Sequence, residues 1–340
     1  MSEPERNMTR RSAGRIQVAR GLWYAKPGVV ELRNAPLPSL EPGKAQVRAL
    51  FSGVSRGTER LVLAGLVPEH ERQRMRAPLQ EGDFPFPVKY GYCSVGTVEA
   101  GPAELVGRHV FCLYPHQDVF QVPAGMAVPI PDGVSPRRAT LAANMETALN
   151  ALWDSGAGPA DRIVVVGAGI VGLLVAYLAA RLPGAEVIVI DPMEERRQIV
   201  EAFGCRFAAP GDQPAASNAD VVFHTSASEA GLATAIAAAG MEGNIVELSW
   251  YGDKRIAVPL GGAFHSQRLR LVSSQVGHVS AGRRVRWDYR RRMEAALRLL
   301  ADDRLDALLT TEIAFVDAPA KLPGLLAPDA PGLAPVIRYG

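Results

Sequence analysis

Residues 162–172 read RIVVVGAGIVG, and this stretch decides the fold of the second half of the chain. Arg162–Val166 is a continuous β-branched run, which is typical of a strand buried on both faces of a parallel sheet. A GxGxxG pattern follows directly, and apolar residues then recur at helical spacing over 170–178. The pattern predicts a strand, a tight turn and a helix, in the order that a dinucleotide-binding unit requires.

Each glycine of this turn has a physical role in such a unit. Gly167 permits the tight turn, Gly169 lets a pyrophosphate approach the backbone, and Gly172 lets the helix pack closely on the strand. The helix begins with Ile170 and Val171, whose free N–H groups and positive dipole would face the phosphates. A helix-packing turn without a ligand is the alternative, but it would not require the second strand and the acid described next. We therefore expect a nicotinamide dinucleotide here.

A second apolar strand, Glu186–Ile190, ends at Asp191, which follows Gly172 at close to the usual spacing of about twenty residues. The Asp191 carboxylate would accept hydrogen bonds from the ribose hydroxyls, and it would repel a 2′-phosphate. NAD is therefore favoured over NADP. Arg196 and Arg197 are close enough in sequence to leave NADP open as an alternative.

Further strands are predicted at 206–208, 220–224, 244–248 and 269–273, which completes a sheet of about six strands. Loops at the carboxyl ends of these strands should line the cofactor cleft, so we expect Thr225, Ser226 and Ser249 to face the dinucleotide. Ordinary helix caps are an equally good explanation for each of these residues taken singly.

The composition of the 340-residue chain fits one large or two medium domains. Lys and Arg (37) nearly balance Asp and Glu (35), so no global charge excess points to nucleic acid or an anionic membrane. Cys93, Cys112 and Cys205 show no CxxC spacing, which argues against a disulfide scaffold and a cysteine-only metal site. We expect a cytoplasmic protein that acts on a small molecule.

No export signal or transmembrane segment is predicted. No apolar run follows the twin arginine at Arg10 and Arg11, and the apolar stretch 163–180 is interrupted by glycines. Residues 1–20 are predicted to be a disordered tail. From about 21 to 131 the chain shows short β-type runs between Pro and Gly, which predicts a β-rich domain, and alternating strands and helices follow.

A β-rich domain precedes the late GxGxxG turn, and it contains the segments GVSRGTE at 53–59 and GYCSVG at 91–96. Together these features resemble the medium-chain dehydrogenase/reductase superfamily, also called zinc-type alcohol dehydrogenase-like. The SRGTERL segment at 55–61 is most similar to the branch that contains bacteriochlorophyllide dehydrogenase. The resemblance implies an α/β fold with a GroES-like β-rich domain and a Rossmann doubly wound parallel sheet. The implied parts are a GroES-like catalytic domain at 21–145, a Rossmann domain at 146–282 and a segment at 283–340 that returns to the catalytic domain. The segments 84–92, 142–150 and 273–278 are similar to an uncharacterised bacterial group usually labelled simply zinc-type alcohol dehydrogenase.

The family's catalytic zinc ligands have no counterparts here. Gly91 and Gly96 match the glycines of a GHExxG segment, but Tyr92 stands at the position of its histidine and Cys93 at that of its glutamate. A GxCGTD segment is matched by 53–59, with Arg56 or Ser55 at the cysteine, and the AANMETA segment at 142–148 lacks a further cysteine. Zinc needs about four N, S or O ligands, so we expect no zinc. An unorthodox site of Cys93, His116 and Glu146 is the alternative.

The resemblance implies interconversion of an alcohol and a carbonyl by hydride transfer with NAD(P). Without zinc, the Tyr92 phenol could donate a hydrogen bond to the substrate oxygen. The alternative interpretation is that Tyr92 has only a packing role and fills the space that the metal would occupy. Thr58 stands where the family places a proton-relay hydroxyl. Glu146 is a third catalytic candidate. The alternative is a structural role in a buried ion pair, such as one with Arg56. His116 and His278 are weaker candidates.

Two other functions stay open. Zinc-free relatives often reduce quinones or activated double bonds, and a protein that lost its metal could serve as a non-catalytic dinucleotide sensor. The resemblance also implies a homodimer or homotetramer, and the predicted strand at 269–276 is a candidate for the subunit contact. The arginine-rich run at 283–292 is interpreted as a solvated helix face, with a subunit contact or an anionic substrate as alternatives.

Overall fold

Three β-sheets organise the chain in the computed structural model, which describes residues 17–212 and 217–340. A four-stranded and a seven-stranded sheet form the β-rich part, and a six-stranded sheet forms the second part. The strands run over β1 Val18–Lys26, β2 Val29–Pro36, β3 Lys44–Gly53, β4 Glu81–Gly82, β5 Val88–Lys89, β6 Ser94–Ala100, β7 His109–Cys112, β8 Val119–Pro123, β9 Val128–Pro129, β10 Arg162–Val166, β11 Glu186–Ile190, β12 Arg206–Ala208, β13 Ala219–His224, β14 Ala239–Glu247, β15 Arg270–Ser273, β16 Thr311–Ala314 and β17 Pro335–Arg338.

The helices lie mainly in the second half of the chain. Residues 136–155 form two helices rather than one, and the Thr140 hydroxyl donates to the Arg137 carbonyl at the break between them. The helices are α1 Arg56–Ala64, α2 Pro136–Ala139, α3 Ala142–Ser155, α4 Ile170–Ala179, α5 Arg197–Ala202, α6 Glu229–Ala238, α7 Tyr289–Leu299 and α8 Ala318–Leu325.

The six-stranded sheet is parallel, with the order β12-β11-β10-β13-β14-β15. Val164 of the central strand β10 is paired with Ile188 on one side and Val222 on the other, and all three side chains are buried. Burial on both faces explains why these strands are continuous apolar runs rather than alternating ones. The predicted doubly wound sheet is confirmed.

The strand order reverses between β10 and β13. From β10 the chain moves outward to β11 and β12 on one side, and it then crosses to β13, β14 and β15 on the other. In such sheets the carboxyl ends of the two strands at the reversal leave a crevice that binds the ligand. Gly167 and Thr225 directly follow these two strand ends.

The end of the chain returns to the β-rich part. Strand β17 pairs antiparallel with β3, where Val336 lies opposite Gly53, and β16 continues the same sheet. Strand β1 begins at Val18, so residues 18–20 are not part of a tail as predicted, because they pair with β2. Gln17 of the predicted tail is also described, and its carbonyl accepts from the Leu37 N–H at 2.7 Å, whereas residues 1–16 lie outside the described residues.

One apolar cluster connects the two parts. It contains Phe111 from the β-rich part, Met145 from α3, and Ile163 from β10, and each of these side chains is fully buried. Burial of a side chain of this size stabilises the folded state by about 1.5–3 kcal/mol. The packing of α3 therefore stabilises the contact between the β-rich part and the six-stranded part. No helix in the described part of the chain is long and apolar enough to span a membrane.

Candidate functional site

The glycine-rich turn closes tightly between β10 and α4. Gly167 has a φ of +109°, and a Cβ atom there would lie 2.8 Å from the Thr225 Oγ1 atom. A Cβ at Gly172 would lie 1.9 Å from the Gly167 carbonyl oxygen. Both positions therefore exclude any side chain, and their glycines are explained by the turn itself.

Gly169 differs from these two positions. Its backbone is an ordinary extended one, with φ −74° and ψ 178°, and an added Cβ would meet nothing within 4 Å. Among the described residues no side chain caps α4, so the first N–H groups of the helix, which include those of Ile170 and Val171, have no capping side chain. Open space, free N–H donors and the positive end of a helix dipole make this turn a candidate site for a pyrophosphate.

Asp191 lies at the carboxyl end of β11, beside the turn. Its Oδ2 atom accepts a hydrogen bond from the Ala168 N–H at 2.6 Å, and its Oδ1 atom accepts one from the Met193 N–H at 2.9 Å. Each carboxylate oxygen has a second lone pair for a ribose hydroxyl. Asp191 thus fixes the turn and still has acceptor capacity.

The two arginines that follow Asp191 have different surroundings. Arg197 forms ion pairs with Glu194 and Glu201 on its own helical segment, so its charge is compensated. Arg196 is buried and donates to the Gly332 carbonyl at 2.9 Å, which connects the six-stranded part to the end of the chain.

Ser226 belongs to a hydrogen-bonded chain that sequence reasoning missed. The His224 Nε2 atom lies 2.7 Å from the Ser226 Oγ atom, and the His224 Nδ1 atom lies 2.6 Å from the Glu247 Oε2 atom. Tyr251 donates its hydroxyl to the same carboxylate oxygen at 3.2 Å. Ser249 contacts the residue after Ser226: its Oγ atom accepts a hydrogen bond from the Ala227 N–H at 3.1 Å.

A signal for this chain of residues is present in the sequence. His224 and Glu247 are the last residues of β13 and β14, two strands that run side by side in parallel. Carboxyl ends of parallel strands meet at one edge of the sheet, so two polar residues at such ends are expected to meet. The pairing requires the strand order, which the sequence does not show directly.

Tyr92 and Thr58 meet in the β-rich part, on the segments that match the family's zinc-ligand motifs. Burial raises the pKa of the Tyr92 hydroxyl well above its ordinary value of 10, although hydrogen bonds to Ser55 and Thr58 oppose the rise. The phenol is therefore protonated at neutral pH and is a hydrogen-bond donor. Its ring stands edge-on to the ring of Tyr90, with the centroids 6.0 Å apart.

A buried polar network lies beneath Tyr92. The Glu59 Oε2 atom accepts from the Tyr24 hydroxyl at 2.6 Å and lies 3.1 Å from the Nε2 atom of His116. The Nδ1 atom of His116 lies 2.7 Å from the Ser52 Oγ atom, and both His116 and Glu59 are fully buried. His116 is thus engaged by a carboxylate and a hydroxyl, which is how a structural histidine is satisfied.

Glu146 forms a buried ion pair, and its partner is Arg292 rather than Arg56. The Arg292 Nε atom donates to the Glu146 Oε1 atom at 2.9 Å, and its Nη1 atom donates to the Asn150 Oδ1 atom at 2.6 Å. Arg56 instead donates to backbone carbonyls, including that of Gly332 at 2.8 Å. Burial raises the pKa of Glu146, and Arg292 partly opposes this rise.

The interpretation of 283–292 as a solvated face is wrong for Arg292, whose side chain is only 2% exposed. Its neighbours remain at the surface, where Arg291 lies over the Trp287 ring at 4.1 Å and Arg283 over the Trp153 ring at 5.6 Å. The two tryptophans pack against each other with centroids 4.8 Å apart. These rings are covered by the protein's own arginines.

Comparison with known proteins gives short sequence matches. No protein-family model matches the chain. It is 31% identical over 113 residues to an uncharacterized zinc-type alcohol dehydrogenase-like protein from Haemophilus influenzae, a match that covers 33% of this chain and 32% of that protein. It is 29% identical over 126 residues to the 2-dehydro-3-deoxy-L-galactonate 5-dehydrogenase of Pseudoalteromonas atlantica, covering 34% of this chain and 37% of the other. The matches therefore span only about a third of these relatives.

Solved structures match almost the whole chain. L-idonate 5-dehydrogenase from Escherichia coli has a TM-score of 0.77 at 14% identity, covering 95% of this chain and 99% of that one. The 2R,3R-butanediol dehydrogenase of Bacillus subtilis has a TM-score of 0.75 at 17% identity, covering 95% and 100%. A short chain alcohol dehydrogenase from E. coli CFT073, complexed with NADH, has a TM-score of 0.74 at 14% identity, covering 95% and 99%. The chain has the alcohol dehydrogenase fold.

The zinc site that this alcohol dehydrogenase fold often holds does not fit the residues present. Within 17–212 and 217–340, no group of three His, Cys, Asp or Glu side chains could hold a metal ion. Burial raises the pKa of the Cys93 thiol well above its ordinary value. His116 is bonded to Glu59 and Glu146 to Arg292, so Cys93, His116 and Glu146 do not combine into an unorthodox site.

Proposed function

We propose that the protein is an NAD(P)-dependent oxidoreductase of the medium-chain dehydrogenase type that interconverts an alcohol and a carbonyl by hydride transfer. The observation that carries this proposal is the glycine turn, which is sterically closed at Gly167 and Gly172 and open at Gly169. Within the described residues an added Cβ at 169 meets no atom, so packing does not require a glycine there, whereas the close approach of a pyrophosphate would. A nicotinamide cofactor would supply the hydride chemistry.

The protein's own contribution to a metal-independent reaction centres on Tyr92. Its hydroxyl is protonated at neutral pH and held by Ser55 and Thr58, so it can donate a hydrogen bond to a carbonyl oxygen. Thr58 would hold this hydroxyl in position and pass a proton between Tyr92 and solvent. A protonated donor favours reduction of a carbonyl over oxidation of an alcohol, which would begin with a base.

The ion pair of Glu146 and the geometry of the glycine turn suggest a role for each of the remaining candidate residues. Because the Glu146 carboxylate is held by Arg292, we propose that it positions α3 beside the cleft rather than exchanging protons with the substrate. Gly167, Gly169, Gly172 and the N–H groups of 170–171 would hold the pyrophosphate. Ser226 and Ser249 would lie near the nicotinamide half.

NAD is the proposed cofactor, with NADP as the alternative. Asp191 lies where a ribose hydroxyl would bind, and its negative charge opposes a 2′-phosphate. Arg197 is already paired with Glu194 and Glu201, and Arg196 donates to a backbone carbonyl, so neither is free to compensate that charge fully.

We further propose a cytoplasmic homodimer or homotetramer with a small-molecule substrate. The strand β15 is the edge of the parallel sheet, and its Leu271 is exposed, which suits a contact between subunits. Placement in the branch near bacteriochlorophyllide dehydrogenase is supported by the segment 55–61 alone.

Reduction of a quinone or an activated double bond is a second candidate. This chemistry needs no strong acid beside the hydride carbon, and the high pKa of Tyr92 is compatible with it. Replacement of Tyr92 by Phe separates the two, since it would impair carbonyl reduction and leave double-bond reduction nearly unchanged.

The proposal is tested by titrating NADH and NADPH into the purified protein while following cofactor fluorescence, beside a metal analysis by mass spectrometry. We expect saturable binding with NADH the tighter ligand and no stoichiometric zinc, followed by oxidation of NADH with aldehydes or ketones. Absence of any dinucleotide binding would overturn the proposal. Stoichiometric zinc would overturn the metal-independent role of Tyr92, and binding without turnover of any carbonyl would favour a sensor.

A further inference from the structure

The backbone beside Tyr92 packs against the ring of His116. The His116 N–H donates to the Tyr90 carbonyl at 3.1 Å, and a Cβ atom on Gly91 would lie 2.7 Å from the His116 Cδ2 atom. Gly91 has a φ of +113°, which favours glycine, so the ring and the backbone approach each other closely. Removal of this ring would therefore take away a contact that supports residues 90–92.

The first turn of α1 is held from inside by Glu59. The Glu59 Oε1 atom accepts from the Ser55 N–H at 2.7 Å, and the Ser55 carbonyl accepts from the Glu59 N–H at 2.8 Å. Ser55 is the N-cap of α1, but its hydroxyl makes no capping hydrogen bond to the described helix. The turn is thus fixed through the Glu59 carboxylate, as in one half of a capping box, and the Ser55 hydroxyl is left to bond with Tyr92.

A hydrogen bond between His116 and Glu59 joins these two segments. The His116 Nε2 atom lies 3.1 Å from the Glu59 Oε2 atom, and Tyr24 donates to the same oxygen at 2.6 Å. Both Glu59 and His116 are 0% exposed, and within the described residues His116 is the ion-pair partner of this carboxylate. A buried carboxylate must be satisfied by donors, so the Nε2 atom carries a proton and donates it to Glu59.

The other side of the His116 ring is anchored on β3. The Nδ1 atom lies 2.7 Å from the Ser52 Oγ atom, which in turn lies 3.0 Å from the Tyr339 hydroxyl. The ring is therefore held at both nitrogen atoms, and it cannot turn without breaking a buried hydrogen bond.

We propose that Glu59 and His116 are positioning residues for the hydroxyl of Tyr92. His116 supports the backbone beside Tyr92, and Glu59 fixes the helical turn that carries both hydroxyl groups bonded to Tyr92. The hydrogen bond between Glu59 and His116 sets the distance between the two segments. The inference rests on the proposed function, in which Tyr92 is the proton donor, and it assigns a role to a buried pair that the hydride-transfer mechanism does not use.

Proton transfer from this pair to Tyr92 is the alternative role, and the contacts disfavour it. Glu59 meets the N–H of Ser55 and not its hydroxyl. A backbone N–H keeps its proton at neutral pH, so this contact does not carry protons onward to Tyr92. Glu59 and His116 are also fully buried, which separates them from protons of the solvent. The contacts therefore support a role in position rather than in proton exchange.

A double-mutant cycle with Tyr92→Phe separates positioning from a general effect on the fold. His116→Leu should lower kcat for carbonyl reduction about tenfold, less than loss of the phenol itself, because a displaced donor acts less efficiently. In the Tyr92→Phe background it should have no further effect on kcat, since both changes act through one hydroxyl. The affinity for NADH should be the same in all four proteins.

The Tyr92 hydroxyl can also be observed without turnover. In protein labelled with carbon-13 at the tyrosine Cζ atoms, the resonance that disappears in Tyr92→Phe reports the hydrogen bonding of this hydroxyl. We expect His116→Leu to shift this resonance. His116→Gln should keep it near the wild-type position, with kcat within about threefold of wild type, because its amide can donate to Glu59 and accept from Ser52.

Tyr339→Phe is the matched control, because it removes a buried hydroxyl whose hydrogen bonds go to Ser52 and to the Gln117 backbone. It should lower the melting temperature but leave kcat and the Tyr92 resonance at their wild-type values. If His116→Leu does not fold, Glu59→Asp makes the same test, because a carboxylate that is shorter by one methylene group cannot reach both of its partners.

In His116→Leu, an unshifted Tyr92 resonance or an unchanged kcat would overturn the inference. So would an equal fall in kcat with and without the Tyr92 hydroxyl, which would indicate a general effect on the fold. A wild-type protein that reduces no carbonyl would instead overturn the proposed function, and the resonance alone would then decide the inference. A shift in His116→Leu but not in Tyr339→Phe would support it, and equal shifts in both would overturn it.

Discussion

The guanidinium of Arg292 and the carboxylate of Glu146 join α7 to α3 across the interior of the protein, with Nε and Oε1 2.9 Å apart. Both side chains are almost fully buried, and Arg292 also donates to Asn150 and to the carbonyls of Val276 and His278. These bonds tie the end of the six-stranded part to the helix that carries the predicted catalytic candidate Glu146.

Replacement of Arg292 by Met should strongly destabilise the protein, because it leaves the Glu146 carboxylate buried without its partner. Loss of one member of a buried pair costs about 3–5 kcal/mol in the free energy of unfolding. Urea denaturation followed by circular dichroism measures this loss. Arg284→Met is the control: its side chain is exposed, and the change should be within about 0.5 kcal/mol. Equal stabilities of the two variants would contradict the role of the pair.

Replacement of Tyr92 by Phe should reduce the rate of carbonyl reduction by about a hundredfold, the lower end of what a positioned proton donor contributes. NADH affinity should not change, because the phenol lies in the β-rich part and not at the glycine turn. Steady-state kinetics and a fluorescence titration give the two values. Tyr90→Phe, which removes a hydroxyl from the neighbouring buried ring, should retain wild-type kinetics. An unchanged rate in Tyr92→Phe would exclude it as the donor.

The parallel sheet was largely predictable because its evidence is local. Buried β-branched runs such as Arg162–Val166 and Glu186–Ile190 have the bounds that their residue types suggest, and the glycine pattern determines the turn between strand and helix. The break between α2 and α3 is not evident from the sequence, because apolar spacing does not show features such as the hydrogen bond from the Thr140 hydroxyl to the Arg137 carbonyl at this point.

The partners of charged residues were much harder to predict, because they are distant in sequence. Glu146 is 146 positions from Arg292, and the arginine run in which Arg292 lies resembles a solvated surface in every local respect. Likewise the contact between His224 and Glu247 exists only because β13 and β14 are neighbours in the sheet. The sequence shows which residues have side chains suited to a functional site. Which of these side chains contact each other depends on the order of the strands and helices in the fold.

Gly169→Ala and Gly172→Ala should separate binding from folding. A methyl group at 172 would overlap the Gly167 carbonyl oxygen at 1.9 Å, so this variant should be unstable. A methyl group at 169 meets no described protein atom, so the protein should fold, and the loss of the glycine N-cap of α4 should cost no more than about 1 kcal/mol. The same methyl group would occupy the pyrophosphate space and weaken NADH at least tenfold. Thermal melts and NADH titrations test both, and unchanged NADH affinity in Gly169→Ala would contradict a pyrophosphate site at this turn.

Replacement of Asp191 by Asn should reduce the preference for NADH over NADPH by about tenfold, because it removes a negative charge from the site expected for a 2′-phosphate. The amide oxygen of the new side chain could still accept from the Ala168 N–H, so the turn should keep its shape. Parallel titrations with the two cofactors give the ratio. Glu194→Gln is the control, since its carboxylate is engaged by Arg197 on the surface, and a similar change there would indicate a general charge effect.

The last prediction concerns acid stability and the Glu247 carboxyl, whose pKa is below its ordinary value of 4.5 in the folded protein. The folded state therefore binds this proton less readily than the unfolded chain does. The resulting stabilisation is complete above the unfolded pKa and is lost as pH falls through the folded one. Glu247→Gln should have a lower melting temperature than wild type at pH 7, and this difference should shrink as the pH is lowered below 4.5. A difference that stays constant with pH would show that the charge of Glu247 does not stabilise the fold.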